Sequence, residues 1–120
     1  AWENVSLPLI VQKSSIKERK QFALEALNKV GLEDRFKHKP AELSGGEIQR
    51  VCIARAIIAK PNIIFADEPT GNLDKENGDN IMTILRSLVS NTTMVVLVTH
   101  NKEDANLCDR TVLLSDGKVI

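Results

Sequence analysis

The sequence carries no net charge. Sixteen lysines and arginines offset sixteen aspartates and glutamates over its 120 residues, so no strong field points toward nucleic acid or an anionic membrane surface. Cysteine is scarce too. Cys52 and Cys108 are the only two; they lie far apart, and neither belongs to a Cys-x-x-Cys pair. This usage fits a reduced cytosolic setting, with Cys52 serving as a small apolar helix residue. No apolar run approaches the ~20 residues that span a bilayer, and no signal peptide is visible. Nothing repeats, and no segment is of low complexity. The phosphate-cradling pattern Gly-x-x-x-x-Gly-Lys-Ser/Thr is also missing. The one Gly-Lys pair, Gly117-Lys118, is followed by Val119 and has Val112 where the first glycine should stand. The length allows one modest domain, able to bury roughly two-thirds of its chain surface.

What is present is organised around Leu43-Ser44-Gly45-Gly46-Glu47. Ser44 can cap a helix, and Glu47 sits three residues on, in the acidic position of a capping box. Gly45 and Gly46 lack β-carbons, so a ligand can approach the backbone closely. The first N–H groups of a helix have no internal partners and lie at its positive end, which suits a phosphate. Taken alone, the stretch is no more than a capped helix after a Gly-Gly loop.

The surrounding chain reads as alternating helices and strands. It begins in apolar, helix-compatible residues, with Pro8 interrupting a run through Leu9, Ile10 and Val11, and Trp2 reads as a packing residue. Ser15-Ile16-Lys17-Glu18 offers a second capping box, and Ile16, Ala23, Leu24, Leu27 and Val30 fall on one helical face. Gly31 supplies a stop. Residues 32–42 form a polar connector in which His38 is solvated. The helix opened by Ser44 runs to about Ala59, apolar over much of its circumference and therefore expected to lie deep. A strand from Asn62 to Ala66 follows, its apolar run implying burial on both faces of a parallel sheet. Asp74 caps a helix with Ile81, Ile84, Leu85 and Leu88 in a stripe. The second apolar strand spans Met94 to Thr99, a short helix lies around residues 103–107, and Asp116-Gly117 is a hairpin turn. The order implies an α/β unit with right-handed crossovers.

Two of these strands end in chemistry. Ile63-Ile64-Phe65-Ala66 runs into Asp67-Glu68, Gly71-Asn72-Leu73-Asp74 comes next, and Met94 to Thr99 ends at His100. With Leu43 to Glu47 ahead of them, these stretches resemble the nucleotide-binding domain of ATP-binding cassette (ABC) ATPases. The Leu-Ser-Gly-Gly-Glu run looks like the family's signature motif. Asp67-Glu68 looks like the end of its Walker B strand, Gly71 to Asp74 its D-loop, and His100 its switch histidine. The opening Trp-Glu-Asn-Val-Ser-Leu-Pro-Leu is similar to the lipoprotein-releasing and macrolide-exporter branch. Outside that company, Asp67-Glu68 would be a polar strand exit and His100 the neighbour of an Asn101 helix cap.

The resemblance implies an ATPase that uses ATP and Mg²⁺ at a head-to-tail dimer interface. Ser44, Gly45, Gly46 and Glu47 would serve a nucleotide held mainly by a second nucleotide-binding domain, with Asp74 linking the site to that partner. Asp67 would reach Mg²⁺ through water, Glu68 would polarise the attacking water, and His100 would contact the γ-phosphate. Two adjacent carboxylates repel, so Glu68 is expected to have a raised pKa. The other implied partner is a transmembrane permease, which would hold the protein at the cytoplasmic face of the membrane; no nucleic acid is expected.

Two departures qualify this. The family more often has Gln where Glu47 stands, and an acid beside an incoming phosphate could weaken nucleotide affinity. The family's phosphate loop is absent, so the expected architecture is a partial P-loop NTPase (RecA-like) core with parallel strands. In this reading residues 1–46 are the ABC helical subdomain and 47–120 the C-terminal half of the core, a fragment inactive by itself. The alternatives are a soluble ABC ATPase of DNA repair or translation, and a non-catalytic interaction module.

Overall fold

A computed structural model describes all 120 residues. Two short helices, α1 (Trp2–Val5) and α2 (Leu7–Val11), open the chain, Pro8 fitting the first turn of the second. Helix α3 (Ile16–Lys29) starts at Ser15 with the expected capping box and ends at Val30, before Gly31 at a φ of +70°. The connector carries two 3₁₀ turns, Glu33–Arg35 and Pro40–Glu42. Helix α4 (Gly45–Ile57) leads to strand β1 (Ile63–Asp67), helix α5 (Lys75–Leu88), strand β2 (Met94–Val98) and helix α6 (Lys102–Asn106). A small hairpin, β3 (Leu114–Ser115) and β4 (Lys118–Val119), turns at Asp116 and Gly117, both at positive φ as a type I′ turn requires.

Strands β1 and β2 are parallel, in register from Ile63 opposite Met94 to Asp67 opposite Val98. The link between them is the helical crossover through α5, as parallel neighbours demand. The α/β class and the parallel pairing anticipated above are both present.

The core lies toward the helical end. Val5, Leu9, Ala23, Ala26, Leu27, Val30 and Leu32 pack with Val51, Ile53, Ala54 and Ile58 of the α4 region, and with Ile81, Met82 and Leu85 of α5. Trp2 stacks on Phe36, ring centroids 5.9 Å apart, which is the packing role its position implied. Helix α3 turns inward only part of the face expected, Ala23 and Leu27 with Val30 at its end. Ala23, Ala26 and Leu27 are buried, while Ile16 and Leu24 are exposed. The reason is geometric: α1 and α4 are its neighbours, and they cover only the stripe through residues 23, 26, 27 and 30.

Strand burial differs as well. In β1 only Ile64 is fully buried, and Phe65 is 76 % exposed. The sheet that holds β1 has two strands, and the face carrying Ile63 and Phe65 is uncovered. The same incompleteness shows in the whole surface. A compact monomer of this mass exposes about 6,500 Å², whereas this chain exposes 8396 Å². Against the roughly 19,300 Å² of an extended chain, folding buries a little over half, short of the two-thirds expected from length.

Helices α4 and α5 meet at their N-termini. A β-carbon on Gly46 would lie 2.5 Å from Asn77 Oδ1 and 2.9 Å from its Cγ. Asn77 cannot easily yield, because its Nδ2 donates to Asp74 Oδ2 at 2.6 Å. Gly46→Ala is therefore expected to cost about 1–3 kcal/mol by overpacking. Asn77→Ala in the same chain should recover much of that loss. Urea unfolding of the single and double variants measures both, and a Gly46→Ala chain as stable as wild type would refute the packing argument.

Candidate functional site

The turn at the head of α4 is built as a cap. Ser44 has an extended backbone, and its Oγ accepts the N–H of Glu47 at 3.2 Å. Glu47 Oε2 in return accepts the N–H of Ser44 at 2.8 Å. The other carboxylate oxygen, Oε1, accepts Arg35 Nε at 2.9 Å. These donors hold the Glu47 carboxyl below its ordinary value, the Ser44 amide first and the Arg35 guanidinium next. The amides of Gly45 and Gly46 donate to nothing within the chain.

The two glycines do different jobs. Gly46 is buried beneath Asn77, so its missing β-carbon serves helix packing. Gly45 is exposed, and a β-carbon there would meet only Leu73 Cδ2, at 3.9 Å. The freedom for a ligand to approach the backbone, ascribed above to both, belongs to Gly45. Leu73 and Asn77 also bring the start of α5 to this turn. There Asp74 is the N-cap, accepting the N–H of Asn77 at 3.0 Å with Oδ1 and the Asn77 amide group with Oδ2. Both contacts hold its carboxyl below the usual aspartate range.

A second group forms at the ends of the parallel strands. Asp67 closes β1 opposite Val98, and its side chain is exposed. Glu68 extends the ladder by one bond, its N–H donating to the Val98 carbonyl at 2.8 Å. Its backbone then turns into the left-handed region, at a φ of +43°, a strained conformation for a residue with a side chain. That turn aims the carboxylate at β2. Glu68 Oε1 accepts the backbone N–H of His100 at 2.9 Å and lies 2.8 Å from His100 Nδ1. Oε2 accepts the Thr99 hydroxyl at 3.3 Å.

These contacts correct one expectation. The Glu68 carboxyl is held below, not above, its ordinary value, first by the His100 side chain and then also by the His100 amide and the Thr99 hydroxyl. Asp67 is not among the influences on it. Donors just beyond the end of β2 favour the charged form, whereas the raised value assumed an unpartnered pair of like charges.

Nowhere do three or more His, Cys, Asp or Glu side chains gather to hold a metal by themselves. A single exposed carboxylate such as Asp67 suits Mg²⁺, which keeps much of its water and shares its remaining positions with phosphate oxygens. The donor set therefore fits that ion and not a closed structural metal site.

Three contributors had no distinct sequence signal. Arg35 sat in the polar connector, with nothing to mark its partner twelve residues on. Asp104 is buried, and its Oδ2 accepts the Thr70 hydroxyl at 2.5 Å, tying the turn after Glu68 to α6. Thr99 was one residue in an apolar strand. Asn101 caps α6 by accepting the N–H of Glu103 at 2.8 Å, the ordinary helix start weighed above for the neighbourhood of His100.

Because the paired donors lower the Glu68 pKa, they stabilise the fold fully above its ordinary value of 4.5. That contribution disappears as the pH falls through the depressed folded value. His100→Ala should raise the Glu68 pKa and flatten this part of the acid unfolding curve. Carbon-detected NMR titration of the Glu68 carboxyl reads the shift, and an unmoved titration would show that the pair does not hold the charge.

The sequence profile of the family described as ABC transporter matches residues 1–71. The lipoprotein-releasing system ATP-binding protein LolD of Psychrobacter arcticus is 50% identical over 119 residues, covering 98% of this chain and 53% of that protein. The uncharacterized ABC transporter ATP-binding protein YvrO of Bacillus subtilis is 46% identical, covering 100% of this chain and 52% of its own length. The macrolide export ATP-binding/permease protein MacB of Mannheimia succiniciproducens is 48% identical over 120 residues, 19% of its length. Among solved structures, a dimeric post-hydrolysis state of the ATP-binding cassette MJ0796 bound to ADP and Pi superposes with a TM-score of 0.83 at 46% identity. It covers 98% of this chain and 53% of that one. The chain thus spans about half the length of the ATP-binding proteins it matches. On this match of profile, sequence and fold, the chain belongs to the ABC transporter family of ATP-binding proteins.

Proposed function

We propose that this chain supplies the signature turn and the strand-end carboxylates of an ABC transporter ATPase, which hydrolyses ATP to drive export of a lipoprotein, peptide or drug. The observation that carries the proposal is the Glu68–His100 pair, 2.8 Å apart at the carboxyl ends of neighbouring parallel strands. Open α/β sheets bind their ligands at that edge. The names of LolD and MacB support the export branch, and MacB's joins ATP-binding and permease functions. No helix of this chain is long and apolar enough to cross a membrane, so a permease partner would hold it at the inner membrane face.

In this reading residues 1–46 serve as the helical subdomain and 47–120 as the second half of the RecA-like core. The unpaired amides of Gly45 and Gly46, set by the Ser44–Glu47 cap, would receive a triphosphate presented by a second nucleotide-binding domain, as the dimeric state of MJ0796 suggests. Asp74, at the adjoining helix start, would face that partner. Asp67 would hold Mg²⁺, which when bound neutralises developing phosphate charge. Glu68 would orient the attacking water. In the arrangement seen here its oxygens are occupied by donors, which makes it a poor proton acceptor. A γ-phosphate oxygen that drew the His100 ring away would relieve Oε1 of one of its two donors, so nucleotide arrival and activation of the base would be linked. The exposed apolar side chains of β1 and the C-terminal hairpin support a further segment covering these faces in the working protein.

Two measurements test this. In the full-length protein, Glu68→Gln is expected to abolish most turnover while leaving ATP binding; hydrolysis at the wild-type rate would remove Glu68 as the base. The 120-residue chain alone, without a phosphate loop, is expected to release no phosphate from Mg²⁺-ATP in a colorimetric assay. Sustained Mg²⁺-dependent release would overturn that division of labour.

A further inference from the structure

A carboxylate at position 47 is an awkward neighbour for a turn that receives a polyanion. It follows directly on the two free amides, and unneutralised it would oppose the positive end of the helix. The structure deals with it twice over. Glu47 Oε2 is folded back onto the Ser44 amide, and Oε1 is held by Arg35 Nε, leaving the side chain only 15% exposed. Arg35 reaches across from the 3₁₀ turn Glu33–Arg35, twelve residues upstream, and that turn is anchored by the stacking of its neighbour Phe36 on Trp2. Its Nη1 also donates to Asp34 Oδ2 at 3.0 Å, but Asp34 is 70% exposed and its charge is largely screened by water. Glu47 is the more enclosed of the two acids.

We propose that Arg35 is a positioning residue for the nucleotide. It cancels the Glu47 charge beside the Gly45–Gly46 amides and holds the carboxylate in the cap, so that an acid can stand in the signature turn without repelling a triphosphate. This rests on the functional reading above, in which those amides meet a phosphate chain. It also explains why Glu can replace the uncharged Gln there: the cap geometry is the same for both, and the extra charge has a built-in partner.

The test is a double-mutant cycle in the full-length protein, with the ATPase rate followed against ATP concentration. Arg35→Gln is expected to raise KM for ATP on the order of tenfold with little change in kcat, because a bare carboxylate opposes binding of the anion. Raising salt to about 0.5 M should shrink the defect. In the Glu47→Gln background the same Arg35→Gln change should alter KM by less than about twofold, since no charge is left to cancel. Arg35→Lys, which keeps the charge, should stay within about threefold of wild type. An Arg35 with only a structural role predicts otherwise: the defect would persist in the Glu47→Gln background and would be insensitive to salt. Either of those results, an Arg35→Gln KM equal to wild type, or a Lys variant as impaired as the Gln variant overturns the proposal. A wild-type protein with no ATPase activity overturns the functional reading beneath it, and is told apart because it appears before any variant is made.

Discussion

The in-register parallel pairing of β1 with β2 is the constraint on which the strand-end chemistry depends. Five residue pairs align the strands, and one further bond, from the Glu68 amide to Val98, carries the alignment past the end of the sheet. A slip of one residue would turn every side chain to the opposite face. It would also move Glu68 away from Thr99 and His100. The positive φ of Glu68 makes sense in this setting. The backbone reverses at once after the strand, and the ladder supplies the rigidity that keeps a strained residue in place.

A comparable logic governs the helix starts beside the strand ends. The N-termini of α4 and α5 are locked together by a glycine with no room for a β-carbon and an asparagine held by its own helix cap. Gly46, Asn77 and Asp74 pack as one unit where the two helices begin. Charge is managed in the same compact way. Four acids of the two clusters are each met by a donor: Glu47 by Arg35, Asp74 by Asn77, Glu68 by His100 and Asp104 by Thr70.

The surface that remains uncovered is as informative as the contacts that are made. Phe65 and Ile63 on β1, with Leu113, Leu114, Val119 and Ile120 around the hairpin, expose large apolar side chains that a finished core would enclose. Exposed strand edges and apolar faces of this kind call for a covering partner. The helical end has a core closed around Leu27, Leu32 and Ile81, while Ile10, Val11 and Ile16 lie exposed on its surface.

Local grammar alone determined much of this protein. Ser15 and Ser44 announce capped helices because a side-chain oxygen and an acid three residues later satisfy the same orphan amides in any context. Asp116-Gly117 announces its turn because few residues tolerate two successive positive φ values. The order of the motifs from Leu43 to His100 was likewise legible, and with it the family. Tertiary structure alone decided what each of those residues faces. The inward stripe of α3, the bare face of β1, the burial of Gly46 and the ion pair from Arg35 to Glu47 all depend on neighbours brought together across the fold. The lowered Glu68 pKa has the same origin, since its donors sit 31 and 32 residues away along the chain. Sequence spacing describes a residue's own helix or strand, whereas burial and electrostatics are set by whatever the fold packs against it.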